Sequence, residues 1–322
     1  MDEWTQQLPP VAAERVRRQR ESRVAGSLLS APAAAALAAA GLQPAGEVMG
    51  CIVMHMGWSG FGCGGYGTYG GYGRSGYAYT SPVLSSGNQG LSWQGFGPYV
   101  RARYHAYDTV LARLLAETAA LGADGVVGVT LTWSVLDTGA RELIALGTAV
   151  RKRRPDRRAG GNTHPAGAGY RPYCTELSGE DVAKAVLSGW VPLGIAVGLS
   201  IAVKHDDWMM QQQTSWLNGA GNTEVDGLTE LLHTARTEAR QKLAERAGRL
   251  AGAAQIVVSR TDLRVHERAC AQDQRDHIAE ASFIGTALAR DPHHGGPETE
   301  PQSSLSILPL GGPTRNYRGA AR

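Results

Sequence analysis

The chain has 322 residues, which is enough for two modest domains that each bury a hydrophobic core. Its 32 Lys and Arg residues nearly balance its 29 Asp and Glu residues, so the net charge of +3 argues against a strong global attraction to nucleic acid or to an anionic membrane. The four cysteines lie far apart without a CxxC pair, which argues against a disulfide framework or a zinc ribbon and favours a reducing cytoplasm.

The N-terminal region combines a basic stretch with an alanine-rich stretch. Residues 1–24 are polar and basic and are predicted to form a disordered tail. The segment 24–42 follows several arginines and has the outline of a signal sequence or membrane anchor. Alanine is only weakly hydrophobic, however, and Ser30, Pro32 and Gly41 suit the start and end of a short helix. The segment is therefore interpreted as a short soluble helix.

A strand, a glycine-rich excursion, a long helix and a hairpin are predicted to follow. Residues 48–56 are apolar and β-branched and have the length of a buried strand. Leucines at helical spacing over 111–121 predict the long helix. Residues 126–135 and 143–150 predict a hairpin across a turn that contains Asp137 and Gly139.

The second half of the chain repeats this order, with its first strand at 195–203. Between the halves, residues 152–169 are charged and rich in Gly and Pro, which predicts a solvated linker, and residues 291–322 are predicted to be a disordered tail. Matching positions between the halves are Ser30 with Ser178, Gly41 with Gly189, Pro44 with Pro192, Gly46 with Gly194, Gly50 with Gly198, 115–117 with 243–245, and 147–149 with 285–287. The kept order indicates an internal duplication.

Three segments of the first half, GLQPAGEVMGCIVMHMGW, LAETAALGADGVVGV and ALGTAVR, resemble the YbjQ-type family, which is named for heavy-metal binding. The resemblance covers residues 25–151, with a Gly/Tyr-rich insertion at 57–80, and residues 170–290 are interpreted as a divergent second copy. It implies an α+β fold of two tandem domains, each a small antiparallel-rich sheet with one short and one long helix. It also implies self-assembly, because the family forms rings of five, and it implies no established reaction.

One group of residues has the chemistry of a metal site. Cys51 and His55 lie four residues apart on the first predicted strand, and Cys63 follows in the insertion. Thiolate and imidazole are ligands of zinc and copper. Four strand residues span about 13 Å, so one ion would need a bent strand or a ligand from another chain. The counterparts of Cys51 and His55 in the second half are Leu199 and Val203, so the second half does not repeat the site, and a core cysteine with a structural or interfacial histidine is the alternative.

Other features are less specific. The insertion is interpreted as a flexible segment, with a loop that stacks nucleobases or surrounds a ligand as the alternative. Basic runs at Arg15 and Arg151 could contact phosphates, although tails and linkers share that composition. The remaining polar candidates lack a partner at a telling spacing, and helix-surface charge or an inter-subunit salt bridge is favoured for the carboxylates over a general base. They are Glu117, Glu142, Glu245, Glu280, His205-Asp206-Asp207 and His293-His294.

The sequence therefore predicts a cytoplasmic, non-enzymatic α+β protein that assembles with itself into a homo-oligomer such as a ring. A zinc or copper module centred on Cys51, His55 and Cys63 is the first alternative. A nucleic-acid-associated factor that uses the basic linker and the tyrosine-rich insertion is the second and is less favoured. No membrane partner and no catalytic residue are predicted.

Overall fold

The computed structural model describes residues 8–22, 26–56, 83–84, 96–137, 139–153, 172–205, 210, 212–213, 224–271 and 274–291. The insertion at 57–80, most of the predicted linker and the predicted C-terminal tail beyond Asp291 lie outside the described residues. Met1–Arg290 form one compact unit. The predicted domain boundaries at 151 and 170 adjoin residues 154–171, which are also outside the description, so the division into two domains stays a prediction.

The described part of the chain contains helices α1 (Pro10–Glu21), α2 (Ala31–Ala39), α3 (Gly97–Ala120), α4 (Gly179–Leu187) and α5 (Asp226–Gly248). The strands are β1 (Leu42–Met54), β2 (Val83–Leu84), β3 (Gly125–Val135), β4 (Arg141–Lys152), β5 (Tyr173–Cys174), β6 (Trp190–His205), β7 (Gln255–Ala271) and β8 (Gln274–Arg290). Within the described ranges, no helix has both the length and the apolar character needed to cross a membrane.

Two four-stranded sheets organise the unit, with strand orders β1-β4-β3-β5 and β2-β6-β8-β7. The long strands pair antiparallel, and the two-residue strands β5 and β2 join β3 and β6 in parallel. The prediction of an antiparallel-rich α+β fold with a short and a long helix in each half is confirmed.

The two sheets repeat one another in register. Gly46 lies opposite Ala149 in the first sheet, and Gly194 lies opposite Ala287 in the second, each directly after an irregularity in the strand. The short helices also begin alike, because the Ser30 side chain accepts a hydrogen bond from the Ala33 N–H, as the Ser178 side chain does from the Asp181 N–H. The structure therefore shows the same arrangement twice, while the family membership of the second half stays a prediction.

In each half, a glycine on the first long strand lets the long helix pack closely against the sheet. A Cβ at Gly50 would lie 2.1 Å from the Val110 carbonyl oxygen, and a Cβ at Gly198 would lie 2.0 Å from the Ala239 carbonyl oxygen. The next helical turn gives the same correspondence, because the nearest backbone nitrogens belong to Leu114 and Leu243. Helices α3 and α5 therefore correspond with a shift of 129 residues. This shift is one residue larger than the shift between the identical segments 115–117 and 243–245. The predicted recurrence of Glu117 as Glu245 is therefore wrong, since Glu117 corresponds to Arg246.

One hydrophobic core joins the two halves. Helix α3 contributes Val110 and Leu114 to a cluster that also contains Leu199 and Ile201 from β6. The same helix contacts both β1 and β6, so it is shared by the two sheets. This shared helix brings the halves into direct contact.

The sequence prediction is wrong about part of the N-terminal tail, which contains helix α1. Pro10 occupies the first turn, where its missing N–H costs nothing, and Arg17 pairs with Glu14 and Glu21 along the helix. Val16 is buried in the shared core, which fixes the helix in place. Because the segment is densely charged, its sequence did not indicate that one apolar residue, Val16, is buried.

Candidate functional site

The predicted metal ligands are only partly brought together. Cys51 lies on β1 opposite Ile144 and is half-buried, and its main-chain oxygen accepts a hydrogen bond from Arg113. His55 is exposed just beyond the end of β1, and Cys63 lies outside the described residues. Because Gly50 faces α3, the neighbouring Cys51 side chain points to the opposite face of the sheet.

The described donors alone do not complete a metal site. Among the residues that the structure describes, no group of three His, Cys, Asp or Glu side chains is arranged to hold an ion. A tetrahedral zinc site takes four ligands, so Cys51 and His55 would need others, from Cys63 or from another chain. The site formed by Cys51, His55 and Cys63 stays a prediction.

Where the structure describes the other polar candidates, they make structural contacts. His205 Nδ1 lies 2.9 Å from an oxygen of Asp276 on the paired strand β8. Asp206, Asp207 and the pair His293-His294 lie outside the described residues. In the basic run of α1, Arg15 pairs with Glu117 and Arg20 binds the Ala120 carbonyl oxygen, so this run is partly used within the chain.

Side chains cover the outer edge of β1. The Gln19 side-chain amide donates to the Glu47 carbonyl oxygen at 2.8 Å, and the Met49 N–H donates to a Glu117 carboxylate oxygen at 2.9 Å. Glu117 is 1% exposed and is paired with Arg15 from α1. An uncovered strand edge invites pairing with another chain, and α1 and α3 protect this one. Glu117 is therefore a buried carboxylate paired within the chain, whereas the sequence analysis favoured a helix-surface charge or an inter-subunit salt bridge.

The first half contacts the second through the outer face of α3. The Tyr104 hydroxyl accepts a hydrogen bond from the Leu199 N–H at 2.9 Å and donates to the Leu199 carbonyl oxygen at 3.3 Å. Arg103 pairs with Glu280, and its guanidinium carbon lies 5.5 Å from the centre of the Trp133 ring. Both charged side chains of this pair are largely buried, so the contact is a packed interface rather than a solvated surface.

A second ion pair continues this contact along α3. Arg246 on α5 pairs with Asp108 on α3, and its guanidinium carbon lies 4.6 Å from the centre of the Tyr104 ring. Sequence reasoning did not find these residues, because nothing in their local spacing indicates a partner more than 100 positions away.

The second half contacts the first through β5. The Thr175 N–H donates to the Val126 carbonyl oxygen at 3.0 Å, and the Val129 N–H donates to the Thr175 carbonyl oxygen at 2.9 Å. The Thr175 hydroxyl also lies 2.8 Å from that of Thr286 on β8 of its own half. Beside it, burial raises the pKa of the Cys174 thiol to about 11.

Glu176 follows β5, and its carboxylate is largely shielded from water. Desolvation raises its pKa, against the hydrogen bond from Ser259 and the charge of Arg260, which lower it. Arg260 also donates to the Leu131 carbonyl oxygen at 3.0 Å, so it connects β7 to β3. These groups form an interface between the halves.

Comparison with known proteins gives two relatives and one family. Residues 95–153 match the family described as "Putative heavy-metal-binding". The chain is 32% identical over 197 residues to the encapsulin nanocompartment protein of Mycobacterium tuberculosis, an alignment that covers 59% of this chain and 60% of that protein. It is 36% identical over 70 residues to a UPF0145 protein of Halorubrum lacusprofundi, covering 22% of this chain and 67% of the relative. No solved structure matches the chain.

Proposed function

The chain belongs to the YbjQ-type, UPF0145 family, and from this premise we propose that it is a non-enzymatic module that assembles with copies of itself in a reducing cytoplasm. The observation that carries the proposal is the contact between the halves, which joins unlike surfaces. The first half contributes the outer face of α3 and the edge of β3, and the second contributes β5 and the sheet face that carries Leu199. A head-to-tail contact of this kind leaves one surface of each type at the two ends.

The name of one relative supports an assembly role. The mycobacterial relative is named as an encapsulin nanocompartment protein, and the aligned region spans 60% of its length. We therefore infer a role in or with a multimeric shell. Head-to-tail contacts close into a ring when the rotation between units allows it and otherwise form an open array.

The absolute mass of the untagged full-length protein, measured by light scattering over a range of concentrations, tests the proposal. We expect a mass that is a multiple of the chain mass and that rises with concentration or stays at one closed value. A constant mass of one chain at every concentration would contradict self-assembly. Repeating the measurement in high salt separates packed association from loose charge attraction, which salt screens.

A transition-metal module is the second candidate function. The observation that favours it is the half-buried Cys51 thiol on the sheet face opposite α3, in a family named for heavy metals. Cys51, His55 and Cys63 would supply thiolates and an imidazole to zinc or copper.

Elemental analysis of the purified protein tests this second candidate. We expect a fixed ratio of zinc or copper per chain that Cys51→Ser and His55→Ala both lower. Cys174→Ala is the matched control, because a buried thiol with a pKa of about 11 is a poor metal ligand and its loss should leave the ratio unchanged. Metal-free protein after exposure to both ions would contradict the candidate.

A further inference from the structure

In the described part of the chain, one face of the first sheet is more exposed than the equivalent face of the second sheet. We define the far face as the side of the first sheet opposite α3. Because β1 and β4 are paired and Gly50 faces α3, this face carries alternating residues of both strands. They are Met49, Cys51, Val53, Glu142, Ile144 and Leu146.

The counterparts of these residues are buried by the first half. Val53 is 54% exposed, whereas its counterpart Ile201 is 4% exposed. Cys51 is half-buried, whereas its counterpart Leu199 is 5% exposed and is held by the Tyr104 hydroxyl. In the described residues, the same apolar pattern is therefore buried on the second sheet and partly exposed on the first.

We propose that the far face binds the outer face of α5 of a second copy of the chain, and this inference rests on the proposed self-assembly. The template is the contact inside the chain, where the outer face of α3 covers the second sheet. The helix match set by Gly50 and Gly198 assigns Leu232 to the position of Arg103 and His233 to that of Tyr104. His233 is exposed, whereas its counterpart Tyr104 is buried against the second sheet.

Charge on α5 complements the far face. Glu142 is the counterpart of Glu280, which Arg103 neutralises inside the chain. The position of Arg103 is Leu232 on α5, but exposed Arg236 lies one helical turn further along the same side. Its guanidinium is the group of the second copy that would pair with Glu142.

The same docking supplies a strand to β7. Inside the chain, β5 pairs with the edge of β3, and in the described residues the counterpart strand β7 pairs with β8 alone. The counterpart of the β5 segment is residues 26–29, anchored to its own half by the Leu28 N–H, which donates to the Thr148 hydroxyl at 3.0 Å. Leu28 is 51% exposed and Val258 on β7 is 44% exposed. Residues 26–29 of one copy thus fit the β7 edge of another.

Helix α1 occupies part of this docking surface. In the second half, Arg246 pairs with Asp108 of the covering helix α3. In the first half the counterpart of Arg246 is Glu117, and it pairs with Arg15 of α1. The two ion pairs are equivalent with their charges reversed, since Arg246 corresponds to Glu117 and Asp108 corresponds in place to Arg15. Helix α1 therefore lies where part of the second copy would lie. Docking must compete with α1, and removing α1 should strengthen it.

The experiment measures self-association of the full-length chain by sedimentation velocity across concentrations. We expect Val53→Asp to weaken association about tenfold or more, because it places a charge in an apolar contact. Val135→Asp is the matched control, since Val135 is an exposed valine, 72% exposed, that lies outside both surfaces. Arg236→Glu should weaken association, and combining it with Glu142→Arg should restore it. Thermal unfolding of every variant confirms that it is folded.

Deletion of residues 1–22 separates this inference from the proposed function. We expect the shortened chain to associate several-fold more tightly than the full chain, because α1 no longer competes with the second copy. If the full chain associates but Val53→Asp associates equally well, the far face is not the contact, while self-assembly stands. If both full and shortened chains are monomeric at every concentration, the inference and the proposed function both fail.

Discussion

Replacing Gly198 with alanine adds one methyl group where α5 lies closest to β6. The added carbon would lie 2.0 Å from the Ala239 carbonyl oxygen and 2.5 Å from the Leu243 nitrogen, and both atoms belong to helix backbone. Backbone cannot rotate away as a side chain can, so the helix must move outward by about 1 Å to restore an ordinary contact.

That displacement loosens a whole row of packed side chains. The buried face of α5 consists of Leu231, Ala235, Ala239, Leu243 and Ala247. A gap of about 1 Å removes roughly a quarter to a half of the dispersion attraction across such a contact. With an overpacking cost of about 1–3 kcal/mol for an added methylene, we expect the free energy of unfolding to fall by about 3 kcal/mol.

Urea denaturation followed by circular dichroism measures the change. Gly248→Ala is the matched control in the same helix, because an added Cβ there meets no atom within 4 Å. It should stabilise the protein by up to about 1 kcal/mol, since alanine favours helix over glycine. A loss below about 0.5 kcal/mol for Gly198→Ala, within the range of neutral surface substitutions, would refute the close approach and the helix match built on it.

Three further predictions concern the contact between the halves. In native protein at pH 8, the Cys174 thiol, with a pKa of about 11, should react with iodoacetamide about 100-fold more slowly than an ordinary thiol, and peptide mapping that finds Cys174 labelled as fast as half-exposed Cys51 would contradict its burial. Because desolvation raises the pKa of Glu176 above its ordinary 4.5, its contribution to stability is present below that value and is lost as the pH rises through the folded-state pKa. The urea stability of the wild type relative to Glu176→Gln should therefore fall from pH 4 to pH 7, and a rise would reverse the assignment. Tyr104→Phe leaves the buried Leu199 N–H without its hydroxyl partner and should cost about 1–3 kcal/mol in free energy of unfolding, whereas an unchanged urea midpoint would mean that this hydrogen bond does not hold the halves together.

Local sequence pattern was sufficient for the elements within each half. The apolar run at 48–56 and the helical leucines at 111–121 predicted β1 and α3, and the turn at Gly139 predicted the hairpin of β3 and β4. These predictions succeed because periods of about 3.6 and 2 residues follow directly from which face is buried. The bounds differ by several residues at the N-terminal ends, where the observed β1 begins at Leu42.

Contacts between distant segments were beyond the sequence pattern. Strand β5 has two residues, too few to show alternation, and it exists because β3 offers it an edge. The helix match was misplaced by one residue because identical letters at 115–117 and 243–245 outweighed the glycine contacts that fix the helix position. Identity of letters does not report which side of a helix is buried, whereas the contacts at Gly50 and Gly198 do.

The candidate binding surfaces could not be predicted from the sequence for a different reason. Val53 and Ile201 are both apolar residues at equivalent strand positions, so their sequence gives no sign that one is open and the other covered. An exposed apolar side chain is ordinary when it stands alone. The comparison between equivalent faces makes Val53 informative, because the chain itself shows what covers such a face.

Cys51 belongs both to the candidate metal site and to the face proposed for self-association. Its counterpart Leu199 is contacted by Tyr104 of the covering helix, and the counterpart of Tyr104 is His233. Because Tyr104 binds the main chain of Leu199, a second copy docked on the far face would bring the His233 imidazole to the strand that carries the Cys51 thiol, as a further candidate ligand from another chain. Under this arrangement, zinc should tighten self-association in the wild type and should lose that effect in His233→Ala as well as in Cys51→Ser. Zinc bound by His233→Ala at the wild-type ratio, with association unchanged, would instead place the metal within one chain and separate the two functions.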